Sequence, residues 1–449
     1  MNHGLGRLRE LPVSARLIRE IHDQLRAVRG HGDWEGWLGF CPRGVAEVNG
    51  KATETTRRVR SLTHLNSGPA PNPIPQPGVS ISASGPSPSL RRGPSRSMIP
   101  LSILELGRVR EGSTRRAALE EARTLAQHAE DWGYRRFWVA EHHNAPGVST
   151  AATPVVIAYI AAGTRSIRVG AGGVMLPNHP PYVVAEQFGT LETLFPGRID
   201  LGLGRAPGMT AETLHALRRD ATAVESYPTD VRELRDFLGP VAPGQLVEAV
   251  PGSGTRVPIW ILGSSLFGAR LAAELGLPFG FAAHFAPGSL DAALSLYRER
   301  FSPSEECPEP YVLLGANIIA GESDAHARRL WTSQQMSLAD FLRGGRHLFR
   351  PPIDDIENYW NVVEKAQASK MLECSIVGGP ETVRRGMDAL LQRTEVDELL
   401  VVSDMFDAEE RLRSFQRIAQ VAGEVARGAR ASGDPLALTA LPHASGLPS

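Results

Sequence analysis

From Met98 onward the chain repeats one rhythm: a short apolar run, then a segment whose apolar residues recur at helical spacing. "IPLSILEL" reads as a first strand. Ala118, Ala122, Leu125, Ala129 and Trp132 then mark a helix, with Ser113 or Thr114 as its cap and Gly133 as its stop. "RRFWVAE" is the second strand, and Thr153-Pro154 opens the next helix as a cap residue followed by a first-turn proline. "IRVGAGGVML" and "RIDLGLG" follow as strands three and four, with a helix through "YVVAEQFGTLETL" between them. "PIWILG", "PFGFAAHF", "YVLLGANIIAG" and "ELLVV" continue the series, and Asp407 and Glu410 are spaced as a capping box for the last helix. About eight strand–helix units over roughly 300 residues predict an α/β fold, a TIM (β/α)8 barrel with insertions. A doubly wound open sheet is the competitor, and the lack of a G-x-G-x-x-G run after the first strand favours the barrel. Two insertions, about 209–256 and 332–375, leave from the regions where barrels carry active sites, so either can form a lid.

The chain ahead of this pattern differs sharply. Between Asn66 and Ser97 proline, glycine and serine dominate, and such a stretch buries too little apolar surface to offset its ordering entropy. The expected domains are a short helical front piece at 1–65, a disordered linker at 66–97, the barrel at 98–426 and a disordered tail at 427–449. Acidic and basic residues nearly cancel, 49 against 48, so no global field recruits nucleic acid or anionic membrane. Cys41, Cys307 and Cys374 lack C-x-x-C spacing, which argues against a disulfide framework or a zinc knuckle and fits a reducing compartment. No apolar run approaches the roughly 20 residues of a membrane span, and the charged N-terminus has no apolar signal segment. The expected location is cytoplasmic.

Candidate chemistry gathers at the predicted strand ends. "WVAEHHNAPG" places Glu141, His142 and His143 at the close of strand two, where alternation points the two histidines to opposite faces. Adjacent histidines cannot easily share a tetrahedral ion, and no H-E-x-x-H spacing exists here, so no metal is expected. Histidine suits proton transfer near neutrality; polar residues that merely end a strand are the structural alternative. Glu141 is suited to orienting a histidine or pairing with an arginine. In "GAGGV", Gly170, Gly172 and Gly173 sit inside a strand, either at a bulge where a planar ligand meets bare backbone or to ease a tight barrel interior. Gly263, Ser264 and Ser265 lie between a strand and a helix start, where free amides and the dipole make an anion site. Plain capping by either serine is compatible with that. Gly204 and Arg205 end strand four, the arginine as a counter-charge or a surface residue. Asn178 and His179 after strand three, and His284 after strand six, are placed to line a substrate pocket.

"WVAEHH", "VGAGGVMLPNHPP", "GRIDLGLGRAPG" and "IWILGSSLFGARLAAELG", in this order, resemble the bacterial luciferase-like flavin monooxygenases over about 98–423. The group nearest in pattern is the FMN-type oxidoreductases with G-S-S after strand five. The resemblance implies His142 as catalytic histidine, with His143 as its partner beside the flavin. It also implies a cis peptide at Gly172–Gly173 and cofactor binding by Gly172, Gly173, Gly204, Arg205, Gly263, Ser264 and Ser265. The reaction implied is oxidation of a small organic molecule by reduced FMN and O2 through a flavin C4a-peroxide. An NAD(P)H:flavin reductase would supply the reduced FMN, and the protein would form a homodimer through outer helices. An F420-dependent dehydrogenase on the same barrel and a flavin-binding protein without turnover are the alternatives. In the front piece, "LPVSARLIREIHDQL" and "GDWEGWLGFCPRGVAEV" resemble fragments of Fic-family proteins over about 8–62, without that family's active-site loop, and read as a truncated remnant. Deleting residues 1–97 is therefore expected to leave flavin binding and turnover unaltered. Titration of the shortened chain with FMN checks this, and loss of binding would give the front piece a role.

Overall fold

Strand alternation decides what fills this molecule. The computed structural model describes residues 99–206, 211–219 and 221–431, so the Fic-like segment, the linker and the chain beyond 431 lie outside the described residues. The strands are β1 (Leu101–Glu105), β2 (Arg136–Val139), β3 (Arg168–Met175), β4 (Ile199–Gly204), β5 (Ile259–Gly263), β6 (Phe279–Phe281), β7 (Val312–Ala320), β8 (Ile376–Gly378) and β9 (Glu398–Val402). All pairs are parallel, and β1 to β7 with β9 close into an eight-stranded ring, because β6 joins β7 and β9 bridges β7 to β1. The chain is a TIM-like barrel. Strand β8 was not expected: it ends the second insertion and extends the far end of β7 through Ile318–Ile376 to Ala320–Gly378 pairs.

Side chains of one parity face the helices. Leu101 and Ile103 of β1, Phe137 of β2, and Leu399 and Val401 of β9 join the large apolar layer between ring and helices. The other parity fills the ring with Leu104, Trp138, Trp260, Leu313, Leu400 and Val402, and the two indoles meet edge to face at 5.2 Å. The barrel is thus a packed core rather than a channel.

The outer helices begin where the chain predicts. Helix α1 (Arg115–Asp131) is capped by the Thr114 hydroxyl, which accepts from the Ala117 amide. In α2 (Thr153–Ala162) Thr153 is the first helical residue and not the cap, since its hydroxyl turns back to donate to the Thr150 carbonyl at 3.0 Å. The remaining helices between strands are α3 (Pro181–Leu194), α4 (Ala211–Ala216), α5 (Tyr227–Leu238), α6 (Leu266–Leu275), α7 (Leu290–Arg300), α8 (Asp324–Leu342), α9 (Val362–Met371) and α10 (Pro380–Thr394). The last, α11 (Ala408–Ala431), runs past the expected boundary at 426. Asp407 caps it through the Glu409 and Glu410 amides at 2.9 Å, but the Glu410 carboxylate pairs forward with Arg413, so the expected box is only half formed. No helix among the described residues is long and apolar enough to cross a membrane.

An ionic layer floors the ring at the strand N-termini. Arg136 donates to Glu398 at 2.9 Å and to Asp200 at 2.8 Å, and its guanidinium lies 4.6 Å over the Trp260 ring. Arg168 and the Trp138 indole complete Asp200, while Tyr311 and Ser102 complete Glu398. Burial opposes the Arg136 charge, but Asp200 and Glu398 outweigh it and raise its pKa. Removing one member of such a buried set strands the others without a counter-charge. Arg136→Met should therefore cost about 3–5 kcal/mol, read from the urea midpoint; a loss below about 1 kcal/mol would mean the layer relaxes freely.

Candidate active site

Strand β2 stops at Val139, two residues short of Glu141. Ala140 still donates to the Glu105 carbonyl at 2.9 Å, and the chain then leaves the sheet. The expectation that His142 and His143 close the strand, with alternation aiming their rings, is therefore corrected. They sit in the following loop, and hydrogen bonds orient them instead. Because the strands are parallel, this loop shares one rim of the barrel with those after β3, β4, β5 and β6.

Glu141 organises that rim. Its side chain is 2% exposed, and one carboxylate oxygen accepts from His143 Nε2 at 2.7 Å and His179 Nε2 at 2.8 Å. The other oxygen faces the Met175 amide at 3.3 Å. Burial alone would raise the Glu141 carboxyl, but the two imidazoles prevail and hold it down at about 2. His179 follows a short turn at Leu176–Asn178, so one carboxylate ties the β2 loop to the β3 loop. The three side chains bring ligand-type atoms within 4.8 Å of one another, a grouping that a reading confined to the adjacent histidine pair did not consider.

His142 differs from its neighbour. Its Nδ1 is enclosed without a hydrogen-bond partner among the described residues, as is Nδ1 of His284. Burial, with Arg108 adding to it, depresses the His142 pKa to about 4. Burial likewise lowers His284 to about 4, with His142 assisting and Asp404 opposing. Both rings are neutral near pH 7. Asn178, which ends the turn after β3, is buried, 4% exposed.

The glycines of β3 have a local cause. The Gly172–Gly173 peptide is cis, as the resemblance implies, and the pairing with β4 shifts register there. A Cβ on Gly172 would lie 2.6 Å from Leu104, and one on Gly173 would lie 2.7 Å from the Gly202 carbonyl. The crowded ring interior is thus sufficient reason for both residues.

At the end of β5, Ser265 is the N-cap of α6, yet its side chain makes no capping bond. Plain capping does not use its hydroxyl. Arg205, two residues after Leu203 of β4, places its guanidinium 4.0 Å over the Phe267 ring in the first turn of α6. Burial lowers the Arg205 pKa. A helix start and a guanidinium side by side both favour an anion. Gly204 and Gly263 end paired strands, at the mouth of this cradle.

The insertions reach the same rim. Arg346 donates to the Asn144 carbonyl at 2.6 Å, and Asn144 donates to Thr213 of the first insertion at 3.3 Å. A Cβ on Gly147 would lie 2.4 Å from the His347 carbonyl, so glycine permits the two backbones to touch. Unforeseen from the sequence are Arg108, Glu105, Asp404 and Arg411, which form a charged cluster at the ends of β1 and β9. Arg108 donates to Asp404 at 2.8 Å, and Arg411 to Glu105 at 3.0 Å. No motif marks them; only the positions of Glu105, Arg108 and Asp404, at or just past two strand ends, could have drawn attention.

The Luciferase-like monooxygenase profile matches residues 99–398, and the chain belongs to that family. It is 46% identical over 328 residues to a protein of Escherichia coli K12 named luciferase-like monooxygenase, covering 73% of this chain and 98% of that one. Identity to Bacillus subtilis YvbT is 49% over 322 residues, covering 72% of this chain and 96% of that one. Among solved structures, apo-MsnO8 matches with a TM-score of 0.65 at 33% identity, over 73% of this chain and 99% of the other.

The depressed histidines set a pH dependence. Below their ordinary value of 6.5 the unfolded chain takes up protons that the folded sites refuse until about pH 4. Stability should therefore fall as pH drops from 6.5 to 4, then further toward 2 as Glu141 is protonated. Urea unfolding across pH 7 to 4 checks this, and His284→Gln should flatten the slope.

Proposed function

We propose that this chain is an FMN-dependent monooxygenase that oxidises a small organic molecule with O2. The carrying observation is the anion cradle at the start of α6. The Ser264–Ser265 segment, the first-turn amides and Arg205 meet there on the rim that also bears His142. A phosphate monoester fits this donor set, because it supplies the negative charge that helix end and guanidinium both favour. Gly263 and Gly204 keep the approach open, and the Gly172–Gly173 backbone would lie along the flavin ring. Bound reduced FMN supplies the electrons for O2 activation, a chemistry that belongs to the cofactor.

The protein's own part is positioning and proton handling. His142, neutral at working pH and with an enclosed Nδ1, is suited to take or give a proton there. His143 is the neighbouring ring fixed by Glu141, so it would hold the cofactor's edge in place rather than exchange protons freely. His179, Asn178 and His284 would line the substrate side. The strap around Arg346 and His347 would exclude water over the β2 loop. Reduced FMN would come from a separate NAD(P)H:flavin reductase, and a homodimer is part of the same proposal.

FMN titration and aerobic product analysis test this together. Arg205→Glu should weaken FMN binding at least about tenfold, the scale of one lost charge-assisted contact. His142→Ala should abolish product while FMN still binds. Retention of F420 without affinity for FMN would overturn the cofactor assignment, and unchanged turnover in the His142 variant would remove that residue from the chemistry.

A further inference from the structure

We propose that Asp404, held by Arg108 at the end of β9, is the residue that recognises substrate, and that the molecule oxidised is uncharged and carries an N–H or O–H donor. This rests on the monooxygenase reading and names the class of its substrate.

The argument starts from an incomplete carboxylate. Asp404 is 2% exposed, two residues beyond the last residue of β9. Its Oδ2 accepts from Arg108 Nε at 2.8 Å. Arg108 is itself fixed three ways: it bridges backbone to Val148, reaches Gln334 at 3.5 Å and lies 5.5 Å over the Phe349 ring. Oδ1, by contrast, has no hydrogen-bond partner among the described residues. The nearest cation, Arg411, stands 3.8 Å away and is committed elsewhere, to Glu105 at 3.0 Å and the Ser403 carbonyl at 3.0 Å. A pairing role for Asp404 explains Oδ2 and leaves Oδ1 without a reason, and a buried acceptor without a donor demands one.

The surroundings say what the donor belongs to. The unpartnered Nδ1 atoms of His142 and His284 come from the β2 and β6 loops of the same rim. Asp404 follows β9 on that rim, and the Arg108 that holds it bridges to Val148 of the β2 loop, so the three groups belong to one end of the barrel. His142 and His284 are half-buried as residues, and their Nδ1 atoms, like Asp404 Oδ1, are enclosed at this rim. Two arginines, Arg108 and Arg411, stand against two carboxylates, Glu105 and Asp404, so the cluster has no net charge to select an ion. What remains unmatched is one strong acceptor, and its complement is a neutral N–H or O–H.

A matched pair of probes reads this directly. N-methylhexanamide and methyl hexanoate have the same shape and differ in one N–H. Binding of each to the full chain, with and without FMN, is measured by saturation-transfer NMR titration. The amide should bind about tenfold more tightly, the scale of a hydrogen bond to a charged group. In Asp404→Asn the amide oxygen must stay toward Arg108, which can only donate, so the NH2 takes the place of Oδ1. The preference should then vanish or reverse toward the ester. Equal binding of both probes by the wild-type chain, or an unchanged ratio in the variant, overturns the proposal. Tighter binding of hexylammonium than of the amide overturns its uncharged part. The wild-type comparison stands even if the variant does not fold. Amide preference in a chain that binds no FMN would uphold Asp404 as the donor-recognising group and sink the monooxygenase reading, so the two failures are separable.

Discussion

Eight parallel strands closed into a ring must fill the space they enclose, and here the filling is what places everything else. Arg136 links Asp200 to Glu398 at the floor, and Trp138 packs edge to face on Trp260 one layer above. With floor and middle occupied, no small molecule can lie within the ring. The strand C-termini are the remaining open end, and the direction of parallel strands sends every strand-to-helix loop there. The ionic floor is costly to desolvate, and each of its charges is matched by hydrogen bonds from at least two neighbouring strands or loops. That the rim is the open end follows from the packing below it.

Much of this was legible in the chain. The ring strands and most of their helices follow from apolar periodicity, because parallel strands buried on both faces read as short apolar runs. The strand ends were read less well. Ala140 keeps one ladder bond after β2 while Glu141 turns to two imidazoles, and no local pattern announces a carboxylate whose partner His179 lies on another strand's loop. Strand β8 was hidden for a similar reason: three residues that pair only with the extended end of β7 have too short a period to register. Candidate residues carried by a motif, such as Ser264, Arg205 and His142, were named from the sequence and lie just past strand ends on the rim. Arg108 and Asp404 were not named, since they meet only through the segments that follow the first and last strands of the ring.

The rim also sorts its ionisable groups by whether a partner was supplied. Glu141 is buried, yet two imidazoles keep its carboxyl near 2, so it stays charged and rigid. His142 is the next residue, but nothing bonds its Nδ1, and burial beside Arg108 keeps the ring neutral. Adjacent positions in the chain thus have opposite properties: one is a fixed anion that orients other groups, the other a neutral base with an enclosed, unbonded nitrogen.

The same contrast separates the three rim histidines next to Glu141 and Arg108. His143 and His179 share the Glu141 oxygen and are held by it, which favours geometry over proton exchange. His142 has no such tether, and only an untethered ring can change its hydrogen-bond partner during a reaction without first breaking one. A loop that fixes two imidazoles and leaves the third unbonded therefore does more than collect polar residues at a strand end. It separates two rings fixed by a carboxylate from a neighbour whose Nδ1 is left unbonded, a division that follows from where the Glu141 oxygen points.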